Sequence, residues 1–191
     1  MSSAGLVVLR SAEHRRMRWK NGLGWTNELA RAPADEAEAF AWRVSVAEVD
    51  ADCEFSAFPG IDRSIAVLTG AGMELRVGAE QVTLRAGGPG FDFAGEAGVV
   101  CRLLAGPTRD FNVMTRRGVY THTLARLRLD GARELGREEG TTLVYLVAGA
   151  AEVEGLQLAV GDCLRAEAVP GDRLRVLAGT GELVVVRLVS G

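Results

Sequence analysis

Val67-Leu68-Thr69-Gly70, then Val82, Leu84 and Gly87, then Gly98-Val99-Val100-Cys101-Arg102-Leu103 read as strand, glycine turn, strand, second turn and strand. The same grammar returns downstream. Leu146-Val147-Ala148-Gly149 precedes Leu156, Leu158 and Gly161-Asp162, and Glu182-Leu183-Val184-Val185-Val186-Arg187-Leu188 closes the series. Leu84 to Gly87 and Leu158 to Gly161 have the same spacing, and Pro89 and Pro170 each follow shortly after. The match is loose, and generic hairpin grammar would also produce it; the paired prolines favour a true duplication. A strand-turn-strand unit written twice predicts an all-β chain of two stacked double-stranded β-helix (jelly-roll-like) barrels, a bicupin.

Working outward, period-two or β-branched runs bounded by Gly, Pro or Asp occur at Phe40 to Val49, Ser64 to Thr69, Val99 to Leu104, Thr123 to Leu129, Thr142 to Val147, Leu174 to Leu177 and Leu183 to Val189. Helical signals are weak. Ser11 to Arg18 suits a turn or two, Asp35 to Ala39 another, and Ala132 to Glu139 is broken by Gly136. The expected organisation is residues 1–118 carrying the first barrel and 119–191 the second, with strands exchanged between the halves in one compact unit.

With 191 residues, 48% of them hydrophobic, the chain can bury a sizeable core. A net charge of -3 and a pI near 5.5 argue against a nucleic-acid surface, which needs a clustered basic excess. Arg15, Arg16 and Arg18, and the pair Arg116 and Arg117, read as solvated faces or ion pairs. No apolar run approaches membrane-spanning length, and Met1-Ser2-Ser3-Ala4-Gly5 lacks the regions of a signal peptide. A cytoplasmic location, away from any membrane, is expected. Cys53, Cys101 and Cys163 are far apart in the chain and none forms a CxxC pair, which suits reduced thiols packed as small hydrophobes.

Chemistry concentrates in few places. Lys20 is the only lysine against twenty-one arginines, and it lies in Trp19-Lys20-Asn21-Gly22-Leu23-Gly24-Trp25-Thr26-Asn27-Glu28 with two of the three asparagines. The third, Asn112, lies in Arg109-Asp110-Phe111-Asn112-Val113-Met114. His14 and His122 are the only histidines, so the three-histidine set of a metal-binding barrel cannot be assembled, and a Ser or Cys triad has no flanking signature. No glycine loop has nucleotide-binding spacing. No metal, no other cofactor and no assigned catalytic residue is therefore expected. What remains is a polar constellation of Lys20, Asn21, Thr26, Glu28, Arg43, Ser45, Arg63, Asp110 and Asn112. Strand alternation puts Arg43 and Ser45 on one face, Asp110, Asn112 and Met114 on another, and Thr26 with Glu28 on a third. Facing a barrel mouth, these groups would bind a carboxylate and orient the rest of a ligand; facing solvent, they would be a wet sheet face.

Four ordered blocks, Arg16 to Ala30, Phe40 to Val49, Phe55-Ser56-Ala57-Phe58-Pro59-Gly60-Ile61-Asp62-Arg63 and Arg109 to Met114, resemble the HutD/Ves family. The resemblance is strong from about residue 9 to 117 and weaker beyond. It implies a double cupin without the usual metal ligands. Motif positions fall on Trp19, Lys20, Asn21, Gly22, Thr26 and Glu28, on Arg43, Ser45 and Glu48, on Phe58, Pro59, Gly60, Asp62 and Arg63, and on Asp110, Phe111 and Asn112. Leu23 departs from the family's W-K-N-G-G-G pattern, where a side chain would narrow the loop or alter its ligand. Gly22, Pro59 and Gly60 are expected to shape turns, and Trp19, Trp42 and Phe111 to fill the core.

Within that family the HutD branch is associated with histidine utilisation and the Ves branch with environmental stress. The resemblance implies a metal-independent protein that senses or buffers a small anionic amino-acid-derived metabolite such as urocanate or formylglutamate. Two rival classes stay open. One is an isomerase or hydrolase in which Lys20 or Glu28 moves a proton; the other is an interaction module with a vestigial pocket. Pairing through sheet edges makes a homodimer the expected assembly.

Overall fold

The computed structural model describes residues 5–33, 39–137, 139–169, 173–177 and 180–191. Pro170 and most of the stretch Asp35 to Ala39 lie outside them. Leu6–Leu9 (β1) is followed by a 3-10 turn at Ser11–Glu13 and by β2 (Arg15–Arg18), β3 (Gly24–Ala32), β4 (Trp42–Val49), β5 (Cys53–Phe55) and β6 (Ile61–Thr69). Then come β7 (Met73–Val77), β8 (Glu80–Leu84), β9 (Phe91–Ala94), β10 (Val99–Leu103) and β11 (Thr108–Arg116). The remainder is β12 (Tyr120–Leu129), β13 (Arg133–Gly136), β14 (Thr141–Gly149), β15 (Ala151–Val153), β16 (Leu156–Leu158), β17 (Cys163–Glu167), β18 (Arg173–Leu177) and β19 (Gly181–Ser190).

The expected all-β bicupin is what the chain forms. The expected turns of helix at Ser11 to Arg18 and Ala132 to Glu139 are corrected: the first is one 3-10 turn followed by β2, the second contains β13. Short polar segments with weak propensity took strand geometry because neighbouring strands offered their backbone groups partners, β3 for β2 and β18 for β13.

Two compact units divide between Thr121 and His122, and the N-terminal residues through His14 belong with the C-terminal one. The motif unit holds a six-stranded sheet, order β2-β3-β4-β11-β6-β9, and a four-stranded sheet, order β5-β10-β7-β8. Its core joins both sheets through Val49, Ile65, Val67, Met73, Leu75, Leu84, Val99 and Cys101. The C-terminal unit holds a five-stranded sheet, order β1-β17-β14-β19-β12, and a four-stranded sheet, order β13-β18-β15-β16. Its core gathers Val144, Leu146, Leu164, Leu174, Val176, Leu183 and Val185. Each such aliphatic side chain contributes about 1.5–3 kcal/mol on leaving water. Buried Asp162 fastens the N-terminal segment to this unit, accepting from Arg10 Nη1 at 2.7 Å and from the backbone N–H of Ser11 at 2.8 Å.

Candidate functional site

Register brings the dispersed polar residues together. On β11, Asn112 lies opposite Ser45 of β4, and Met114 lies opposite both Arg43 of β4 and Arg63 of β6. On β3, Glu28 lies opposite Ser45 and Thr26 opposite Ala47. Directly opposed residues share a sheet face. The three polar faces read from alternation are therefore one face, which also carries Ile65 and Val67 of the apolar core. The other face buries Trp42, Val44, Val46, Phe111 and Val113, as the alternation requires.

A pocket of about 630 Å³ opens on this polar face. Eight of the nine expected site residues line it: Lys20, Asn21, Thr26, Arg43, Ser45, Arg63, Asp110 and Asn112. Glu28 is not among its lining residues. Its buried carboxylate instead accepts from Arg43 Nε at 2.6 Å, with Arg31 Nη1 at 3.9 Å, so it neutralises and aims a guanidinium.

At the rim, the segment 19–23 is a turn built by its own polar groups. Gly22 adopts φ +73°, donates to the carbonyl of Trp19 at 3.0 Å and has its own carbonyl held by Arg18 Nη2 at 3.1 Å. Asn21 Oδ1 accepts from the Leu23 N–H at 3.0 Å, an Asx turn, and Trp19 Nε1 donates to Thr26 Oγ1 at 2.8 Å. Gly24 allows close packing, since a Cβ there would lie 2.4 Å from the Glu48 carbonyl oxygen. Asn21 thus shapes the loop with its Oδ1 and keeps its amide NH2 for a ligand, while the Thr26 hydroxyl, accepting from Trp19, can still donate its proton. Leu23, the departure from the family pattern, packs against the core of the motif unit rather than lining the pocket. Lys20 is exposed at the rim.

The floor is a buried relay. Arg63, 5% exposed, donates from Nη2 to Asn112 Oδ1 at 3.0 Å, and Asn112 Nδ2 donates in turn to Asp110 Oδ1. Three phenyl rings surround the guanidinium, Phe93 at 4.8 Å, Phe58 at 5.5 Å and Phe55 at 5.7 Å. Each face-on ring adds about 0.5–2 kcal/mol to holding the cation. Burial brings the Arg63 pKa down to about 10, so it stays charged near neutrality. Asp110 is fully buried, and its Oδ2 has no hydrogen-bond partner among the described residues. Burial pushes its carboxyl up to about 7, while the Arg63 charge and the Asn112 hydrogen bond pull the other way.

Four cationic side chains, Arg18, Lys20, Arg43 and Arg63, face two carboxylates, Glu54 and Asp110, around this pocket. A metal does not fit the donor set: the lining has no histidine or cysteine, and guanidinium groups sit beside its carboxylates. Among the described residues no group of three His, Cys, Asp or Glu is disposed to hold an ion.

Sequence reasoning did not single out Phe55 or Phe93 as the aromatic cage of Arg63, nor Met17 and Glu54 as wall residues. Phe55 and Phe58 lay inside a quoted motif block. Phe93 was visible only as one member of the alternating pair Phe91 and Phe93. The charged clusters do form ion pairs: Arg16 with Glu48 at 2.8 Å, and Arg117 with Asp62 and Glu96, each at 2.8 Å. Arg16 and Arg18 also lie over Trp25, at 4.6 and 5.0 Å from its ring centre.

No helix among the described residues is long and apolar enough to cross a membrane. The HutD family model matches residues 11–185. An uncharacterised 21.2 kDa protein from the hutC 3' region of Pseudomonas putida is 35% identical over 97% of this chain and 98% of its own. Protein Ves of Cronobacter sakazakii is 37% identical over 69% of this chain and 71% of its own. Among solved structures, a conserved protein of unknown function from Pseudomonas aeruginosa PAO1 superposes with TM-score 0.89 at 39% identity, covering 97% of this chain and 99% of that one. HutD from Pseudomonas fluorescens SBW25, solved in a formate condition, gives TM-score 0.85 at 36% identity over 97% and 99%. YhhW from Escherichia coli, at 11% identity and TM-score 0.69 over 95% and 97%, is alike in fold alone. The match along nearly the whole length, together with the four motif blocks now seen around one pocket, shows that this chain belongs to the HutD family.

Proposed function

We propose that the motif unit binds, without a metal, a small anionic metabolite derived from an amino acid. The observation that carries this reading is the Arg63 guanidinium, buried on the pocket floor and fixed by Asn112 and three phenyl rings. A preorganised, partly desolvated cation binds a carboxylate more strongly than a flexible surface one. Arg43, aimed by Glu28, supplies a second donor fork, and exposed Lys20 a third charge at the mouth. The unpartnered Asp110 Oδ2 suits the opposite chemistry, accepting an N–H or O–H from the ligand. An acid that also carries such a donor, as urocanate and formylglutamate do, matches both ends. The link to histidine degradation is supported by the hutC-region relative and by the HutD neighbour.

A thermal-shift and calorimetric screen with histidine, urocanate, formiminoglutamate, formylglutamate and glutamate tests this. One ligand at about a hundred times its Kd should add roughly 2.7 kcal/mol to stability. The effect should weaken in Lys20→Ala, whose exposed side chain can be removed without disturbing the fold. Flat curves across the panel would overturn the reading.

Asp110 also favours a second reading, an isomerase or hydrolase. A carboxyl near pH 7 in a pocket is suited to proton transfer. Glu28 is engaged by Arg43 and Lys20 is exposed, so Asp110 would be the proton-carrying group. Product appearing by NMR with wild type and absent with Asp110→Asn would establish turnover; ligand recovered unchanged would leave binding alone.

A further inference from the structure

Cys53 and Cys101 are far apart in sequence but directly opposed in the structure. Cys53 opens β5, and its antiparallel partner on β10 is Cys101. Directly opposed residues of antiparallel strands have Cα atoms about 4.5–5.5 Å apart, inside the roughly 4.4–6.8 Å that a disulfide spans. Both side chains belong to the same core cluster, so both point to the same face. Cys101 is fully buried, with its Sγ 3.8 Å from Met73 Sδ, whereas Cys53 is 8% exposed and lies on a three-residue strand paired, among the described residues, only with β10. Of the two buried thiols, Cys53 is the shallower and sits on the edge strand.

We propose that Cys53 and Cys101 form a reversible intramolecular disulfide, with Cys53 the peroxide-reactive thiol and Cys101 the resolving one. The Cys53 thiolate attacks one oxygen of hydrogen peroxide, the O–O bond breaks, and hydroxide leaves and takes up a proton as water. Cys53 becomes a sulfenic acid. Cys101, giving up its proton, then attacks Cys53 Sγ; the S–O bond breaks and the hydroxyl departs as a second water. Two thiols are thereby oxidised by two electrons and one peroxide is reduced to two waters. Their close approach agrees with this order, the interaction between the two thiols favouring loss of the proton from the shallower Cys53 and opposing it at buried Cys101. Cys163 is fully buried in the C-terminal unit, where burial pushes its thiol up to about 12, and it takes no part.

The bridge has a local consequence. Strand β5 and the residues after it supply Glu54, Phe55, Ser56 and Phe58 to the pocket wall. Ser56 also accepts from Arg63 Nη1 at 3.4 Å, and Asp52 Oδ1 accepts from the Leu103 N–H at 2.8 Å. A disulfide would fix this wall to β10 covalently, whatever ligand the pocket takes.

The test uses the full chain, reduced and then exposed to hydrogen peroxide, alkylated under denaturing conditions, and digested with trypsin. Cleavage at arginine separates Cys53 on peptide 44–63 from Cys101 on peptide 86–102. The expected result is those two peptides joined, the intact mass lower by two hydrogens, Cys163 still alkylated, and a melting temperature raised by several degrees that returns with dithiothreitol. Cys53→Ser should leave Cys101 alkylated after the same treatment. Three alkylated cysteines after peroxide, Cys53 carried to sulfinic acid with no bridge, or a cross-link through Cys163 or between chains would each overturn the proposal.

Discussion

The two units run the same pair of strands in the same register with opposite chemistry. In the motif unit, Val67 of β6 pairs with Asp110 of β11 and Ile65 with Asn112. In the C-terminal unit, Leu146 of β14 pairs with Leu183 of β19 and Val144 with Val185. The register shift recurs at equivalent places, between Arg109 and Asp110 against β6, and between Leu146 and Ala148 against β19. The repeat read from the sequence aligns Val67 with Leu146, so Asp110 stands where the other unit has Leu183, and Asn112 where it has Val185. A cupin core tolerates either set. Leucine and valine close the C-terminal interior as packed hydrocarbon, whereas aspartate and asparagine in the motif unit need Arg63 and its aromatic cage to be affordable in a buried place.

That comparison can be broken most severely from the apolar side. Leu183→Asp would bury a carboxylate among Val144, Leu146 and Leu164 with no guanidinium supplied, and a loss of about 5 kcal/mol is expected by urea denaturation. A cost under about 1 kcal/mol would mean that Asp110 needs no special surroundings either.

Next in size is a pH effect. The folded Asp110 carboxyl, at about 7, lies above its ordinary value of 3.8, so between those limits the folded chain holds a proton that the unfolded chain has released. Its contribution is fully present below about pH 4, declines as pH rises, and is gone above about 7, a change of order 4 kcal/mol. Stability profiles of wild type and Asp110→Asn should differ by that slope across the window, and parallel profiles would place the carboxyl in contact with water.

Arg63→Met should cost about 3 kcal/mol by leaving Asp110 without its cation. Adding Asp110→Leu and Asn112→Val, which writes the other unit's residues into this one, should restore most of the stability while abolishing the ligand-induced shift. A triple variant as unstable as the single one would show that the polar set is not replaceable by the apolar set. The smallest effect sharpens the rim: Trp19→Phe removes the hydrogen bond to Thr26, with an expected cost of about 1 kcal/mol in thermal unfolding and a larger relative loss in ligand affinity.

Much of this was legible in advance because strands report themselves locally. Alternation of Trp42, Val44 and Val46 against Arg43 and Ser45 depends only on neighbouring residues, and so does the turn grammar that revealed the duplication. Weak local signals misled where long-range pairing decided, as at Arg15 to Arg18 and Arg133 to Gly136, which became strands by bonding to β3 and β18. The motif places Glu28 among the ligand groups, but its carboxylate is occupied by Arg43, a cross-strand partner that local alternation does not specify. Cys53 and Cys101, distant thiols in the sequence, became neighbours only when β5 paired with β10.

By itself, then, the sequence determined an all-β double unit, the absence of a three-histidine metal set, and the short list of polar residues in which any site had to be found. These follow from composition and period, which are properties of the chain alone. The tertiary structure decided which of those residues meet. It placed Arg63 inside a cage of Phe55, Phe58 and Phe93, left Asp110 with an unpartnered oxygen, turned Glu28 toward Arg43, and set two cysteines in register. Strand order and register fix these relations between segments that are remote in the chain, and both are set by the packing of the whole unit.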